Sequence, residues 1–515
     1  MSLLSVVPAL ADLPRLVTPS FNDLTGLLPE LILSGAFLLA LMLDLVVPAS
    51  RRSWLAGFSF VAIVAALVCT AIQFAGLDHP HSIYSGAFLF DRFGLFINGV
   101  LLFSAAVTVL ISPGYLNKRG LHYGEYYALI LAATTGMMFL AGAANLMVIF
   151  LAIELLSIAL YILSGFSRDE ERSQEAALKY LLLGGFASGF LLYGMALIYG
   201  ETGHTQLSLI GASLQHAAEL DHRIDPLFLV GVVLIFVGYA FKVSAAPFHT
   251  WTPDVYQGAP TSVTTFMSVA TKVAAFASLI RVFTYTLVPA YTHWQGLIVF
   301  VAIVSMVVGN LAALTQRSVK RMLAYSGVAQ AGYILIGVAV GGSDPLGTVG
   351  ALFFLAAYAV TNIGAFAVIT VMAGRGEDLD RYENLHGLWF RRPYVAAAMA
   401  LFLFSLGGFP PTVGFFAKFL VFKAAIESGQ TSLAFWGILT SAVSVVYYLG
   451  VAGLMFRRPR GGEQSYEWSR TSFAGGTALV ASAAGTLILG VFFFLLYNAA
   501  SMAQQGVLPA HVPPG

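Results

Sequence analysis

Apolar runs of about 20 residues recur along the chain, with only short polar stretches between them. A helix of this length crosses the hydrocarbon core of a bilayer, which is about 30 Å thick. The runs do not alternate polar and apolar residues, so they predict helices rather than the strands of a membrane barrel. We therefore predict an all-α polytopic membrane protein.

About fourteen transmembrane segments are predicted from these runs. They begin near residues 27, 54, 91, 125, 145, 176, 226, 261, 294, 321, 347, 393, 432 and 472. If the first helix starts outside, most Lys and Arg residues of the connecting loops fall on the cytoplasmic side, as the positive-inside rule requires. This pattern predicts a multi-pass membrane protein with both termini on the outer side, which in a bacterial inner membrane is the periplasm.

Composition excludes several classes of protein. Only 10% of the residues are charged, and the net charge of +1 is too small for a nucleic-acid binder. The single cysteine, Cys69, cannot form an internal disulfide or ligate an iron–sulfur cluster. The sequence also lacks the glycine-rich motifs of nucleotide-binding loops. We therefore expect no cofactor and no metal in this chain.

Five basic residues fall inside the apolar segments, and all of them are lysines. They are Lys179, Lys242, Lys272, Lys418 and Lys423. A desolvated lysine can lose its proton, whereas arginine stays charged. The pattern therefore predicts a row of proton-exchange sites. Lys423 is also compatible with snorkelling to the interface, and Lys320 and Arg321 are interpreted as interfacial charges that set topology.

One acidic residue, Glu154, is predicted near the middle of the fifth apolar segment. A carboxylate at that depth costs several kcal/mol unless it is partnered or protonated. The sixth segment returns after a short loop and carries Lys179 one to two turns in. We therefore predict that Glu154 and Lys179 form a pair.

Two segments contain helix breakers at membrane depth. The seventh contains Pro247, and the twelfth contains Gly408, Pro410 and Pro411. Proline removes a backbone donor and clashes with the preceding turn, so each break frees carbonyl groups. Such interruptions are tolerated only where the backbone packs against protein or lines a water-filled cavity. Paired interruptions indicate a transporter built from inverted repeats.

An internal repeat supports this interpretation, because the tripeptide Tyr-Ile-Leu at 161–163 recurs at 333–335. It predicts two inverted five-helix repeats, formed by helices 4–8 and 9–13, with broken helices 7 and 12. The predicted division is helices 1–3 in 1–124, the first repeat in 125–290, the second in 291–456, and helix 14 with a periplasmic tail in 457–515.

Two motifs resemble a known family. The segments FKVSAAPFHTWTPDVYQGAPTSVTTFMSVATK, from Phe241 to Lys272, and GGFPPTVGFFAKF, from Gly407 to Phe419, are similar to the subunit N family of bacterial NADH-quinone oxidoreductase, respiratory complex I. The sister subunits L and M of the same complex share this arrangement of helices. Subunit M typically has Glu at the position of Lys418, and subunit L typically has His near Lys272, so subunit N fits best.

The resemblance implies a proton-pumping, antiporter-like subunit of the membrane arm. It implies a pair formed by Glu154 and Lys179, a seventh-helix lysine at Lys242, a linking residue at Lys272 and a terminal residue at Lys418. His249 corresponds to the polar residue after the break, as a proton relay or as a cap for freed carbonyls.

The resemblance also implies partners, and two alternatives remain open. NADH, FMN, iron–sulfur clusters and quinone are expected in partner subunits, beside an adjacent antiporter-like subunit and the lipid bilayer. The first alternative is a subunit of a multi-subunit cation/proton antiporter, driven by ion gradients. The second is a membrane scaffold whose buried lysines have no transport role.

Overall fold

Helices make up nearly all of the part of the chain that the computed structural model describes, namely residues 21–48, 52–121, 123–220, 224–374, 378–458 and 471–507. The all-α class predicted from the sequence is confirmed. The sequence predicts a periplasmic location for both ends of the chain. The first twenty residues and the tail from 508 lie outside the described residues.

The N-terminal region contains four helices and a small hairpin. They are α1 (Phe21–Gly26), α2 (Leu28–Val46), α3 (Ser53–Gly76), the antiparallel strands β1 (His81–Ile83) and β2 (Phe88–Phe90), and α4 (Arg92–Arg119). Asp91 caps α4 by accepting the Gly94 N–H at 2.8 Å, which satisfies a donor that the first turn leaves free. Gly120, with a φ of 70°, ends the same helix.

The next region contains the first interrupted helices. It comprises α5 (Glu125–Gly142), α6 (Leu146–Ser164), α7 (Glu171–Thr202), α8 (Leu207–Glu219), α9 (Pro226–Lys242), α10 (Trp251–Gly258), α11 (Thr261–Met267), α12 (Ala270–Ile280), a π-helical turn (Arg281–Thr286) and a 3-10 turn (Val288–Ala290). Helices α7 and α9 approach closely at Gly194, where a Cβ atom would lie 2.7 Å from the Gly231 carbonyl oxygen. The absence of side chains at this crossing allows backbone contact.

The remaining helices complete the bundle. They are α13 (Tyr291–Leu314), α14 (Val319–Gly341), α15 (Pro345–Met372), α16 (Tyr382–Leu385), α17 (Leu388–Arg391), α18 (Pro393–Gly407), α19 (Val413–Glu427), α20 (Thr431–Phe456), α21 (Phe473–Val491) and α22 (Phe493–Gln505). Proline occupies the first helical position of α15 and α18, where its missing N–H costs nothing.

Burial separates a central core from an outer rim. All residues from 261 to 284 and from 347 to 372 are buried, whereas only five residues of α2 are buried. Exposed apolar side chains on the rim include Leu45, Phe186 and Val446. Such a surface suits a lipid environment or neighbouring membrane subunits rather than water.

Eleven helices in the described part of the chain are long and apolar enough to cross a membrane, and α9 and α18 are shorter apolar helices. Both predicted breaks are confirmed, since α9 ends five residues before Pro247 and α18 ends directly before Gly408. A further interruption, between α11 and α12, has no proline and was not predicted. The number of spans and the inverted repeats stay predictions.

Candidate functional site

Lys242 is the last residue of α9 and lies directly at the first helix break. Its side chain is buried, and its Nζ donates to the Ser157 hydroxyl of α6 at 2.7 Å. The ammonium also lies 5.8 Å from the ring centre of Tyr161. Hydroxyl and aromatic groups therefore surround this charge.

Glu154 lies on α6, one helical turn before Ser157. Its Oε1 accepts a hydrogen bond of 2.5 Å from the Ser188 hydroxyl of α7. Because residues three apart share a helix face, Glu154 is placed on the side of α6 that holds the Lys242 contact. The Ser157 hydroxyl itself donates to the Ile153 carbonyl, so Glu154 and Lys242 share a helix face without a direct hydrogen-bonded link through Ser157.

The predicted pair of Glu154 and Lys179 is not formed. Lys179 Nζ instead lies 2.9 Å from Asp254 Oδ2 and 2.6 Å from Glu175 Oε1, and 40% of its side chain is exposed. Arg321 Nη1 binds the other Asp254 oxygen at 2.7 Å. The break after α9 brings Asp254, on α10, within reach of α7, and this contact could not be inferred from the spacing along the chain.

Lys272 lies in the first turn of α12, just after the unpredicted interruption. Its side chain is 1% exposed. Its Nζ donates to the Gly327 carbonyl of α14 at 2.6 Å and lies 5.8 Å from the ring centre of Tyr358. Lys272 is therefore buried where α12 packs against α14 and α15.

Lys418 is buried on α19, directly after the second break. Its Nζ donates to the Gly407 carbonyl at 3.1 Å, one of the acceptors freed where α18 ends, and to the Ser441 hydroxyl at 2.8 Å. Gly408, with a φ of 87°, turns the chain here, and a Cβ at that position would lie 3.1 Å from Lys418 Cδ. The break therefore shapes the lysine site.

No carboxylate in the described part of the chain lies within ion-pair distance of these three lysines. A buried ammonium without a counter-charge carries a large desolvation cost. The direct contacts of the three ammonium groups are with hydroxyl, carbonyl and aromatic groups. None of the three is therefore held in an ion pair in the described residues.

Polar groups connect the Lys272 and Lys418 sites. A cavity of about 10 Å³ is lined by Tyr358, Gln330, Ser405 and Lys418, and is roughly large enough for one water molecule. Tyr358 also lies beside Lys272. The Gln330 amide donates to the Leu406 carbonyl at 3.2 Å, so α14 contributes polar contacts to both sites.

His249 lies in the turn after the first break and is half-buried. Its ring is 6.2 Å from that of Tyr325, and its Nδ1 is buried without a protein partner in the described residues. The predicted alternatives, a proton relay or a cap for freed carbonyls, both stay predictions. Lys423, in contrast, is exposed and lies 3.7 Å from Glu427, one turn further along α19.

A polar cavity of about 610 Å³ opens at the end of the bundle near Asp378. Lys320, interpreted above as an interfacial charge, is in fact 1% exposed at its edge, and its Nζ lies 2.9 Å from Asp378 Oδ2. The loop after α15 folds back to supply Asp378, and this tertiary contact buries the lysine. Asp378 also accepts from the hydroxyls of Tyr115 at 3.0 Å and Thr261 at 2.6 Å.

From Thr261, polar groups continue along α11 toward Lys272. The Thr265 hydroxyl donates to the Thr261 carbonyl at 2.8 Å, and the Ser268 hydroxyl donates to the Thr265 carbonyl at 3.1 Å. Tyr358, which lies beside Lys272, donates to the Ser268 carbonyl at 3.3 Å. A polar path therefore leads from the Asp378 cavity to the central lysine.

Asp378 predicts a pH dependence of stability. Burial alone would raise the pKa of this carboxyl, but the Lys320 ammonium and the Arg119 guanidinium hold its pKa below the usual value. A lowered pKa contributes stability above the unfolded-state value of about 3.9, and that contribution is lost as the pH falls through the folded-state pKa. We expect the Tm difference between the native chain and Asp378→Asn to stay constant from pH 5 to 8 and to shrink below about pH 4. A difference that grows toward low pH would contradict this assignment.

A buried ion pair lies near the start of α4. Arg281 Nη1 and Nη2 each donate to Asp91 at 2.7 Å, and Arg281 Nε donates to the Ala141 carbonyl at 2.7 Å. Both side chains are at most 2% exposed. The sequence does not predict this pair, because the two residues lie 190 positions apart along the chain.

A family model described as "NADH:quinone oxidoreductase/Mrp antiporter, TM" matches residues 143–444. The chain belongs to this family. It is 43% identical to the NADH-quinone oxidoreductase subunit N of Trichlorobacter lovleyi, over 94% of this chain and 97% of the relative. The resemblance predicted from the two motifs is confirmed.

Solved structures agree with this family assignment. A chain of the respiratory complex I from Thermus thermophilus with bound aureothin is 32% identical, with a TM-score of 0.77 over 91% of this chain and 98% of that one. A chain of the Mrp complex from Dietzia sp. has a TM-score of 0.81 over 93% of this chain and 97% of that one, at 22% identity. The second likeness concerns the antiporter-like fold alone.

Proposed function

We propose that this chain is the proton-translocating, antiporter-like membrane subunit of a NADH-quinone oxidoreductase. The observation that carries the proposal is the placement of Lys242, Lys272 and Lys418. Each is buried next to a helix interruption, and none is within ion-pair distance of a carboxylate in the described residues. In a bilayer, such groups are costly and typically mark a proton or ion pathway.

The redox chemistry belongs to partner subunits in this proposal. NADH, FMN, iron–sulfur clusters and quinone are bound there, while this chain moves protons. The partners are other membrane-arm subunits, including an adjacent antiporter-like subunit, in the bacterial inner membrane.

Protons enter from the cytoplasm through the Asp378 cavity in this proposal. The polar cavity is wide enough for bulk water, and Lys320 and Asp378 line it. The hydroxyls of Thr261, Thr265 and Ser268 then lead to Lys272. Because hydroxyls both donate and accept, this path can relay protons together with intervening water.

Glu154 provides the electrostatic control. In this proposal a negative charge on Glu154 attracts the proton held by Lys242, whose partner Ser157 lies on the same face of α6. When a neighbouring subunit changes the charge around Glu154, the field at Lys242 weakens and its proton moves toward Lys272. Lys179 acts outside this path, because the charges of Asp254 and Glu175 neutralise it.

Exit to the periplasm proceeds from Lys418 in the second half of the chain. The Lys418 ammonium lies 5.1 Å from the ring centre of Tyr333, whose hydroxyl is in contact with Asn310 and Thr440.

The proposal is tested by extracting the tagged chain gently from its native membrane and separating it on a native gel. We expect NADH-to-quinone electron transfer and flavin to migrate with the tag. Proton pumping should then be measured in vesicles containing the complex. Migration without flavin, together with sodium-dependent proton exchange, would replace the proposal by the cation/proton antiporter alternative.

Gly327 provides a test of the Lys272 geometry. A Cβ at this position would lie 2.7 Å from Lys272 Nζ, so Gly327→Ala must displace the ammonium from its carbonyl acceptor. We expect coupled turnover to fall about threefold to tenfold, since misplacing a reacting group by about 1 Å can cost more than this. Gly450→Ala on α20, where a Cβ meets nothing within 4 Å, is the matched control. Equal turnover in both variants would contradict the site geometry.

A further inference from the structure

Glu30 is a buried acid that the lysine path does not use. It lies on α2, in the outer group of helices, and only 5% of the residue is exposed. Its Oε1 accepts a hydrogen bond of 2.7 Å from the Asn98 amide of α4. Asn98 is itself 3% exposed, so two buried polar side chains join the first long helix to α4.

Each of these side chains has one further oxygen atom without a partner. Glu30 Oε2 and Asn98 Oδ1 are both buried and have no hydrogen-bond donor in the described residues. An ionised Glu30 can only accept hydrogen bonds, so it cannot satisfy the Asn98 oxygen. One proton on Oε2 would supply the donor that this pair lacks, since a carboxylic acid and an amide can donate to each other.

The charges around Glu30 do not favour the ionised form. On α3, the titratable group that interacts with Glu30 is the Cys69 thiol, which carries no positive charge. Asp44 and Arg52 pair with each other near the opposite end of α2, and Glu125, at the first residue of α5, pairs with Arg168. On α4, the Arg92 guanidinium donates to the Leu77 carbonyl at 2.8 Å.

Within the described residues, no cation therefore lies at ion-pair distance from Glu30. The position of Glu30 in the first turn of α2 favours a negative charge through the helix dipole. That contribution is small compared with the cost of burying a carboxylate without a counter-charge. The balance favours the neutral acid.

We propose that Glu30 and Asn98 form a proton-binding site separate from the lysine path, which holds one proton at neutral pH. The proton resides on Glu30 Oε2 and is shared with the amide oxygen of Asn98. The site links α2 to α4 without a buried charge. This inference does not depend on the proposed function, since it concerns the resting charge of one carboxyl.

Infrared difference spectroscopy on the purified complex tests the site directly. The spectrum of the native protein minus that of Glu30→Gln should contain, at pH 7, the carbonyl stretch of a protonated carboxylic acid. For the matched control Glu125→Gln, where an acid 39% exposed pairs with Arg168, the difference should contain carboxylate bands instead. Carboxylate bands at pH 7 for Glu30 as well would overturn the proposal.

Thermal unfolding gives an independent measurement. Glutamine has the shape of the protonated acid and can donate to the Asn98 oxygen without taking up a proton. Because the unfolded chain releases the Glu30 proton above a pKa of about 4.3, the Tm of the native protein should fall relative to that of Glu30→Gln as the pH rises from about 5 to 7. If Glu30 were ionised in the native protein over this range, the Tm difference would stay constant. A constant difference would therefore also overturn the proposal, whereas Asn98→Leu should lower the Tm by leaving the acid without its partner.

Discussion

Substitution of Lys272 by methionine is expected to lower proton-coupled NADH-to-quinone turnover about tenfold or more, because a positioned proton-transfer group typically contributes at least this much. Methionine fits the space of the lysine stem but cannot carry a proton. Lys272 is 1% exposed and lies between the polar path from Asp378 and the Lys418 site. Its loss should therefore interrupt proton transfer from the Asp378 cavity to Lys272 and proton transfer from Lys272 to Lys418.

The same substitution should not harm folding. In the described residues, Lys272 has a carbonyl and an aromatic neighbour but no carboxylate within ion-pair distance. Removing a buried charge of this kind usually leaves stability unchanged or raises it. The Tm of the assembled complex should therefore stay equal or rise while proton pumping in vesicles falls.

Lys423→Met is the matched control for this experiment. Lys423 lies on α19 near Lys418, but 47% of its side chain is exposed, and it is close to Glu427. We expect its removal to leave turnover within about twofold of the native value, because exposed ion pairs contribute little. Equal turnover in the Lys272 and Lys423 variants would refute a central role for Lys272.

The second large effect concerns stability and the Asp91–Arg281 pair. Arg281→Met would leave the Asp91 carboxylate buried without its counter-charge. Breaking a buried ion pair in this way costs about 3 to 5 kcal/mol. We expect a marked fall in Tm and poor assembly, measured by thermal unfolding of the purified complex and by the amount of complex in the membrane.

A double variant separates charge burial from packing. Asp91→Asn combined with Arg281→Met removes both charges, while asparagine can still cap α4 through its side-chain oxygen. We expect the double variant to recover a large part of the lost stability. Arg168→Met, which removes a 79% exposed partner of Glu125, should change stability by less than about 1 kcal/mol. A double variant as unstable as Arg281→Met alone would show that packing, not charge, explains the effect.

The two effects follow from different ways of burying a charge. Arg281 stays charged and receives a full set of partners from Asp91 and Ala141, so it stabilises the bundle. Lys242, Lys272 and Lys418 receive only hydroxyl and carbonyl acceptors. A guanidinium in an ion pair is unsuited to proton exchange, whereas a poorly compensated ammonium is suited to it.

The sequence predicted those features of the candidate site that follow from the chemistry of single residues. A charged residue in an apolar run is costly, so burial of Lys242, Lys272 and Lys418 could be inferred without any contact information. The breaks at Pro247 and Gly408 were also predictable, because proline and paired glycines act on their own backbone. The family followed from two local motifs.

Contacts between distant segments were decided only by the tertiary structure. The partner of Lys179 is Asp254 rather than Glu154, because the break after α9 turns α10 toward α7. Lys320 is buried because Asp378, far along the chain, folds over it. The pairing of Glu30 with Asn98 and of Asp91 with Arg281 has the same origin.

The sequence by itself therefore determined the membrane helices, their two proline-containing breaks and the burial of Lys242, Lys272 and Lys418, because each depends on local hydropathy and backbone chemistry. The interruption of α11 and α12 and the partners of every buried charge depend instead on how the helices pack. Hydropathy places a residue at a depth in the bilayer but does not fix which neighbouring helix it faces. Only the packed bundle decides which charges are neutralised and which stay free to exchange protons.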